Sequence, residues 1–135
     1  MIWKFITFLV RKLDPESAHQ VTLFALKLGF HPRLKKVKIP IKINNLIFSN
    51  LLGVAAGFDK NAQAIKNIHH LNFGFMEVGT ITPLPQYGNP KPRVFRLEKD
   101  QAIINRNGFN NLGMIEAKKK LERYRKDFPV GGSFV

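Results

Sequence analysis

The strongest constraint on the fold lies between residues 51 and 79, where two continuous apolar runs flank one helix-length stretch. Leu51-Leu52-Gly53-Val54-Ala55-Ala56 and the run from Phe73 to Gly79 both read as buried strands, and the stretch from Ala62 to His70 between them reads as helical. Strands without polar alternation are covered on both faces, and strand, helix, strand in that form is the crossover unit of a parallel sheet. The chain is therefore predicted to be an α/β protein.

The flanks extend this reading. Residues 2 to 12 form a helix apolar on most sides, with Trp3, Phe5, Phe8 and Leu9 available for burial or for a lipid interface. A second helix starts at Asp14-Pro15, because an Asp side chain can accept from free amides of the first turn while Pro fits the first helical position. Ala18, Val21, Ala25 and Leu28 recur at helical spacing until Gly29 ends it. A basic connector from Lys35 to Pro40 leads into two short strands, Ile41-Lys42-Ile43 and Leu46-Ile47-Phe48, about the Asn44-Asn45 turn. The domain boundary is placed here, giving a helical module over 1–38 and an α/β unit over 39–135. Further on come a Pro-rich loop at 80–93, a hairpin of Val94 to Leu97 and Ala102 to Ile104, a helix from Asn111 to Lys126, and a third parallel strand beginning within 128–135.

Charge narrows the partners only partly. The net charge of +13 suits any polyanion, and the first third holds nine Lys and Arg against Asp14 and Glu16 alone. The basic residues are not interleaved with stacking aromatics, and no helix-turn-helix, zinc or RNA-binding pattern occurs, so nucleic acid is not the expected partner. The opening apolar segment falls short of the roughly 20 residues a spanning helix needs, and no small-residue cleavage site follows it. With no Cys, thiol nucleophiles, disulfides and Cys-ligated zinc are excluded.

Three stretches carry candidate chemistry. Gly53-Val54-Ala55-Ala56-Gly57-Phe58-Asp59-Lys60-Asn61 puts small residues at the end of a buried strand, where backbone amides can approach a flat ligand, with a cation just beyond for a carboxylate or ring edge. A tight strand-to-helix turn with a solvated Lys fits the same residues. Glu77-Val78-Gly79-Thr80-Ile81-Thr82-Pro83 sets the Thr80 hydroxyl at the end of the neighbouring strand, facing the same mouth as Lys60, or else serving a turn or cap. Asn105-Arg106-Asn107-Gly108-Phe109-Asn110-Asn111 holds four Asn, whose amides could pair with the donor and acceptor edges of a cyclic ureide; such clusters also simply make turns.

Taken together with Pro85-Gln86-Tyr87-Gly88-Asn89-Pro90-Lys91-Pro92-Arg93-Val94-Phe95-Arg96-Leu97, these stretches resemble in wording, order and spacing the class 2, quinone-dependent dihydroorotate dehydrogenases, from about Leu13 to about Gly113. The resemblance implies an N-terminal helical pair followed by the first strands and helices of a (β/α)8 TIM barrel. It also implies an FMN across the barrel mouth that takes a hydride from dihydroorotate and passes electrons to a membrane quinone. Residue by residue, it assigns Ala56, Gly57, Phe58, Asp59, Lys60 and Thr80 to flavin. It assigns Lys60 again, with Asn105, Arg106, Asn107, Gly108 and Phe109, to dihydroorotate, and His19 and Arg96 to the quinone region. The N-terminal helices resemble the family's module at the membrane surface, which implies a peripheral location on the cytoplasmic face of the cell membrane.

Two departures from the family pattern stand out. Asn107 occupies a position where relatives carry a larger side chain, and Ser133 occupies that of a flavin-contacting Asn. A full barrel needs eight strands and about 250 residues, so the resemblance implies a truncated barrel. The Ser that serves relatives as catalytic base and the loops that hold the flavin phosphate would lie beyond residue 135. No catalytic base and no metal ligand is therefore assigned within the chain. The expectation is an inactive fragment that binds FMN poorly, alone or with a separate C-terminal fragment. The alternative is a small basic module for membrane surfaces that has lost the ancestral chemistry.

Overall fold

The computed structural model describes residues 2–32, 34–35, 37–124 and 128–135. The helix α1 (Ile2–Arg11) buries none of its residues. Lys12 and Leu13 close its last turn through bonds to the Leu9 and Val10 carbonyls. The start of α2 (Pro15–Lys27) follows the sequence logic: Asp14 Oδ1 accepts from the Ser17 amide at 3.0 Å with Pro15 in the first turn. Gly29, at φ +86°, turns the chain out of the helix.

The buried face of α2 differs from the expected one. Glu16, Ala18, Leu23 and Leu26 are buried, whereas Val21 and Leu28 are exposed. Packing on β5 (Val94–Leu97) and α3 (Ile65–His69) decides this, because it selects the face through positions 16, 19, 23 and 26, and Val21 lies on the opposite side. The antiparallel hairpin of β1 (Ile41–Ile43) and β2 (Leu46–Phe48) turns at Asn44, φ +52°. Arg33 and Lys36, part of the basic segment before it, lie outside the described residues.

The parallel sheet has the order β3-β4-β7, from β3 (Gly53–Val54), β4 (Phe75–Ile81) and β7 (Val130–Phe134). Gly53 pairs with Phe75 and Val54 with Met76; on the other side Met76 pairs with Val130 and Val78 with Gly132. The predicted crossover unit and third strand are both present. One part of the prediction fails: Leu51 and Leu52 are 68% and 63% exposed rather than buried. The Asn50 side chain bends the chain there, accepting from the Leu52 amide and donating to the Asn72 carbonyl, so strand geometry begins only at Gly53.

Helix α3 is shorter than the Ala62 to His70 reading. Asp59, fully buried, accepts from the Gln63 and Ala64 amides at 2.8 and 2.7 Å, which holds residues 61–64 outside the helix with Ala62 at φ +55°. Helix α4 (Gly113–Arg123) starts later than Asn111, because Asn111 is held in a bridge to Gln86 and its side chain caps the Gly113 amide. At the other end Tyr124 turns extended, and Lys126 lies outside the described residues. The core between helices and sheet is built from Leu23 and Leu26 of α2, Ile65 and Ile68 of α3, and Met76, Val78 and Ile81 of β4, with Ala117 and Phe128. The hairpin of β5 and β6 (Ala102–Asn105) stands beside α2.

Candidate functional site

The C-terminal ends of β3 and β4 open on a cleft of about 540 Å³. Ala56, Gly57, Lys60 and Thr80 line one side, and Asn89 with residues 105–109 line the other. The predicted meeting of Lys60 and Thr80 at one mouth is therefore observed, opposite the Asn-rich loop. Parallel strands place their C-terminal ends together, so residues 20 positions apart in sequence converge.

Gly57 sits at φ +103°, donates its amide to the Gly79 carbonyl at 2.8 Å, and apart from its chain neighbours has no residue within 4 Å of where a Cβ would stand. Any side chain here would be conformationally strained and would project into the cleft. Thr80 Oγ1 lies 3.3 Å from Ser133 Oγ, so the end of β7 reaches the same mouth. Lys60 Nζ donates to Asn110 Oδ1 at 2.6 Å. Partial burial pushes the Lys60 ammonium below its ordinary range, the nearby Arg93 guanidinium pushes in the same direction, and Glu16 opposes both.

The loop at 105–109 is held from behind. Asn105 Oδ1 accepts from the Asn107 side chain at 3.0 Å, Asn89 Nδ2 donates to the Arg106 carbonyl at 2.6 Å, and Gln86 Nε2 donates to the Gly108 carbonyl. Asn111, buried, bridges the Phe109 carbonyl and the Thr82 hydroxyl, joining the loop to the end of β4.

Two of the residues assigned to flavin stand outside this cleft. The Asp59 carboxylate is occupied by the turn before α3, and Phe58 faces a second groove, of about 840 Å³, between α2 and the β5–β6 hairpin. That groove brings together His19 and Arg96 and shares Gly57, Lys60, Asn105 and Asn107 with the first cleft, so the two are continuous. His19 Nε2 donates to the Phe58 carbonyl at 2.6 Å, with the two rings edge to face at 5.4 Å. Arg96 donates to the carbonyls of Arg11 and Leu13, closing the C-terminal end of α1.

Sequence reasoning assigned no role to Asn89 and Asn110, although both lie in the stretches it singled out, and it missed the pair Glu16–Arg93. Arg93 Nε and Nη2 grip the Glu16 carboxylate, both side chains being about nine-tenths buried. That grip is the leading cause holding Glu16 below the ordinary carboxylate range. The available signal was Glu16 itself, one of only two acids in a strongly basic third of the chain.

Comparison with known proteins matches residues 38–132 to the family model described as dihydroorotate dehydrogenase. The chain is 51% identical over 121 residues to a dihydroorotate dehydrogenase (quinone) of Bartonella henselae, covering 88% of this chain and 33% of the relative. It is 52% identical over 115 residues to one of Rhodopseudomonas palustris strain TIE-1, covering 84% and 32%. Among solved structures, DHODH from Eimeria tenella in complex with ferulenol superimposes with a TM-score of 0.82 at 43% identity, over 90% of this chain and 35% of that one. The ligand-free form of the same protein gives 0.81 at 42% identity. The chain thus spans about a third of the length of the curated relatives it matches. With the parallel strands, the cleft at their ends and these matches in agreement, the chain belongs to the dihydroorotate dehydrogenase family, on its quinone-linked branch.

Proposed function

We propose that this chain supplies the membrane-side entrance, the first flavin contacts and one wall of the substrate pocket of a quinone-linked dihydroorotate dehydrogenase. The observation that carries this reading is the cleft in which Ala56, Gly57, Lys60 and Thr80 face residues 105–109. Gly57 leaves room for a flat ring to lie against backbone, and Lys60 and Thr80 offer polar contacts at its edge. FMN, when bound, supplies the redox chemistry that converts dihydroorotate to orotate in de novo pyrimidine biosynthesis and transfers the electrons to quinone.

The chain's own residues bind and orient. The Lys60 ammonium attracts the substrate carboxylate, and that attraction is strengthened where water is excluded. Asn105 and Asn107 offer amide donors and acceptors to the ureide edges of the ring, with Arg106, Gly108 and Phe109 completing the loop. His19 and Arg96, in the continuous groove, form the quinone side. Residues 1–38 act as the membrane-associated module and 39–135 as the barrel portion. Among the described residues no helix is long and apolar enough to cross a membrane, and α1 carries exposed Ile2, Phe5 and Phe8 beside Lys4 and Arg11, with Lys12 just after it, which suits an interfacial helix at the cytoplasmic face.

On this reading the chain by itself oxidises no dihydroorotate and retains FMN far below stoichiometric yield, measured by flavin absorbance. Co-expression with the downstream two thirds of the Bartonella henselae relative restores bound FMN and quinone-linked oxidation, and Lys60→Ala in this chain removes the oxidation. Restored activity that ignores Lys60→Ala would overturn the assignment of the cleft.

A further inference from the structure

The pair Glu16–Arg93 joins two parts of the molecule that the proposed function treats separately. Glu16 lies one helical turn before His19 on α2, so both project from the same side of that helix. Its carboxylate accepts from Arg93 Nε at 3.2 and 3.1 Å and from Nη2 at 2.5 Å. The remaining arm of the guanidinium turns the other way: Nη1 donates to the Tyr87 carbonyl at 2.6 Å and to the Asn89 carbonyl at 3.1 Å. One planar fork therefore fixes the Pro-rich segment 87–93 against the helix that carries His19. Lysine could reach one of these partners but not hold them in one plane.

That segment is what the substrate-side loop rests on. The Arg93 carbonyl accepts from the Arg106 amide at 2.8 Å, the Asn89 amide donates to the Asn107 carbonyl at 3.0 Å, and Asn89 Nδ2 donates to the Arg106 carbonyl. Arg106 closes the circuit by donating from its own guanidinium to the Pro92 carbonyl at 3.0 Å. The approach is close enough that a Cβ on Gly88, at φ +74°, would stand 2.1 Å from the Asn107 carbonyl and 3.0 Å from Arg93 Nη1. Lys91 Nζ, 3.4 Å from Glu16 and largely exposed, is a weaker second tie.

We infer that Glu16 and Arg93 are positioning residues that couple the seat of α2 to the conformation of residues 105–109, so that the quinone side and the substrate side of the site are set together. A displacement of α2 pulls on Arg93, and Arg93 releases the backbone on which the loop is hung. The coupling itself is a property of this chain; its consequence for orotate, the product anion, rests on the reading of the cleft as the substrate site.

Amide hydrogen exchange on the purified chain tests the coupling without any ligand. Glu16→Gln keeps the shape but weakens the grip, and Arg93→Lys keeps the charge but loses the fork. In both, the Asn89 and Arg106 amides are expected to exchange about tenfold faster while the Val78 amide of β4 stays protected. If either variant loosens α2 alone and leaves the Asn89 and Arg106 amides as in the parent chain, or if both variants unfold outright, the pair serves only to hold the fold and the inference fails. Orotate titration of the chain co-expressed with the downstream two thirds of the Bartonella henselae relative, followed by flavin absorbance, adds the functional arm. The expected result is a loss of affinity of at least about fivefold in Glu16→Gln, against abolition in Lys60→Ala. Orotate binding insensitive to Lys60→Ala would refute the substrate reading while the exchange result still decides the coupling.

Discussion

At the scale of single residues, the stretch from Gly57 to Lys60 divides its labour. Asp59 is fully buried and both of its oxygens serve the backbone of the turn before α3, so its role is structural. Replacing it by Ala leaves the buried Ala64 amide and the part-buried Gln63 amide unpaired, and the expected loss is about 3 kcal/mol in urea denaturation. Its neighbour Lys60 lines the cleft instead. Because burial and Arg93 lower its pKa from 10.5, the folded chain gives up this proton at lower pH than the unfolded chain. Between the two values the unfolded state binds more protons, so stability rises with pH in the window just below 10.5. Denaturation curves of Lys60→Met across that window are expected to lack this rise, and an identical pH slope in the two proteins would exclude a perturbed Lys60.

Among elements, α1 and α2 are both amphipathic by sequence yet end differently. Glu16, Ala18, Leu23 and Leu26 of α2 are buried against the rest of the molecule, while α1 buries nothing and leaves Ile2, Phe5 and Phe8 at 57% exposure or more. Removing residues 2–11 is therefore expected to change the urea midpoint little, yet to abolish co-sedimentation with phosphatidylglycerol vesicles. Undiminished sedimentation after that deletion would move the membrane contact elsewhere. The strand β3 shows the opposite lesson: a six-residue apolar run yields a two-residue strand, because Asn50 bends the chain ahead of it.

For the whole molecule the decisive quantity is surface. The accessible area is 10107 Å², against about 7,200 Å² for a compact monomer of this mass. Large apolar side chains contribute to it: Leu51, Leu52, Ile103, Ile104, Phe134 and Val135 are all exposed, and among the described residues β3 and β7 each pair on one side only. Open parallel edges and uncovered apolar side chains favour association. Light scattering of the purified chain is expected to rise with concentration, with strong binding of a hydrophobic dye, and co-expression with the downstream part of a relative should suppress both. A monodisperse monomer that binds no dye would contradict this.

The crossover unit, the hairpins, the capped start of α2 and the Gly-Asn-Lys stretches are all legible in the sequence, because strand and helix periodicity and turn chemistry are local properties of the chain. So is the family, through the order of its motifs. Local rules do not reveal which of several apolar faces is buried. Val21 and Leu28 lie outside while Glu16 lies inside, because α2 is turned by what it packs on and by a guanidinium 77 positions away. They also do not separate Asp59 from Lys60, adjacent in the chain but assigned by the fold to a backbone turn and to the cleft. Contacts between distant segments exist only once the parallel strands have brought their ends together: consecutive strand ends already announce the meeting of Lys60 and Thr80, but the bonds that hold residues 105–109 beside them were settled by tertiary structure alone.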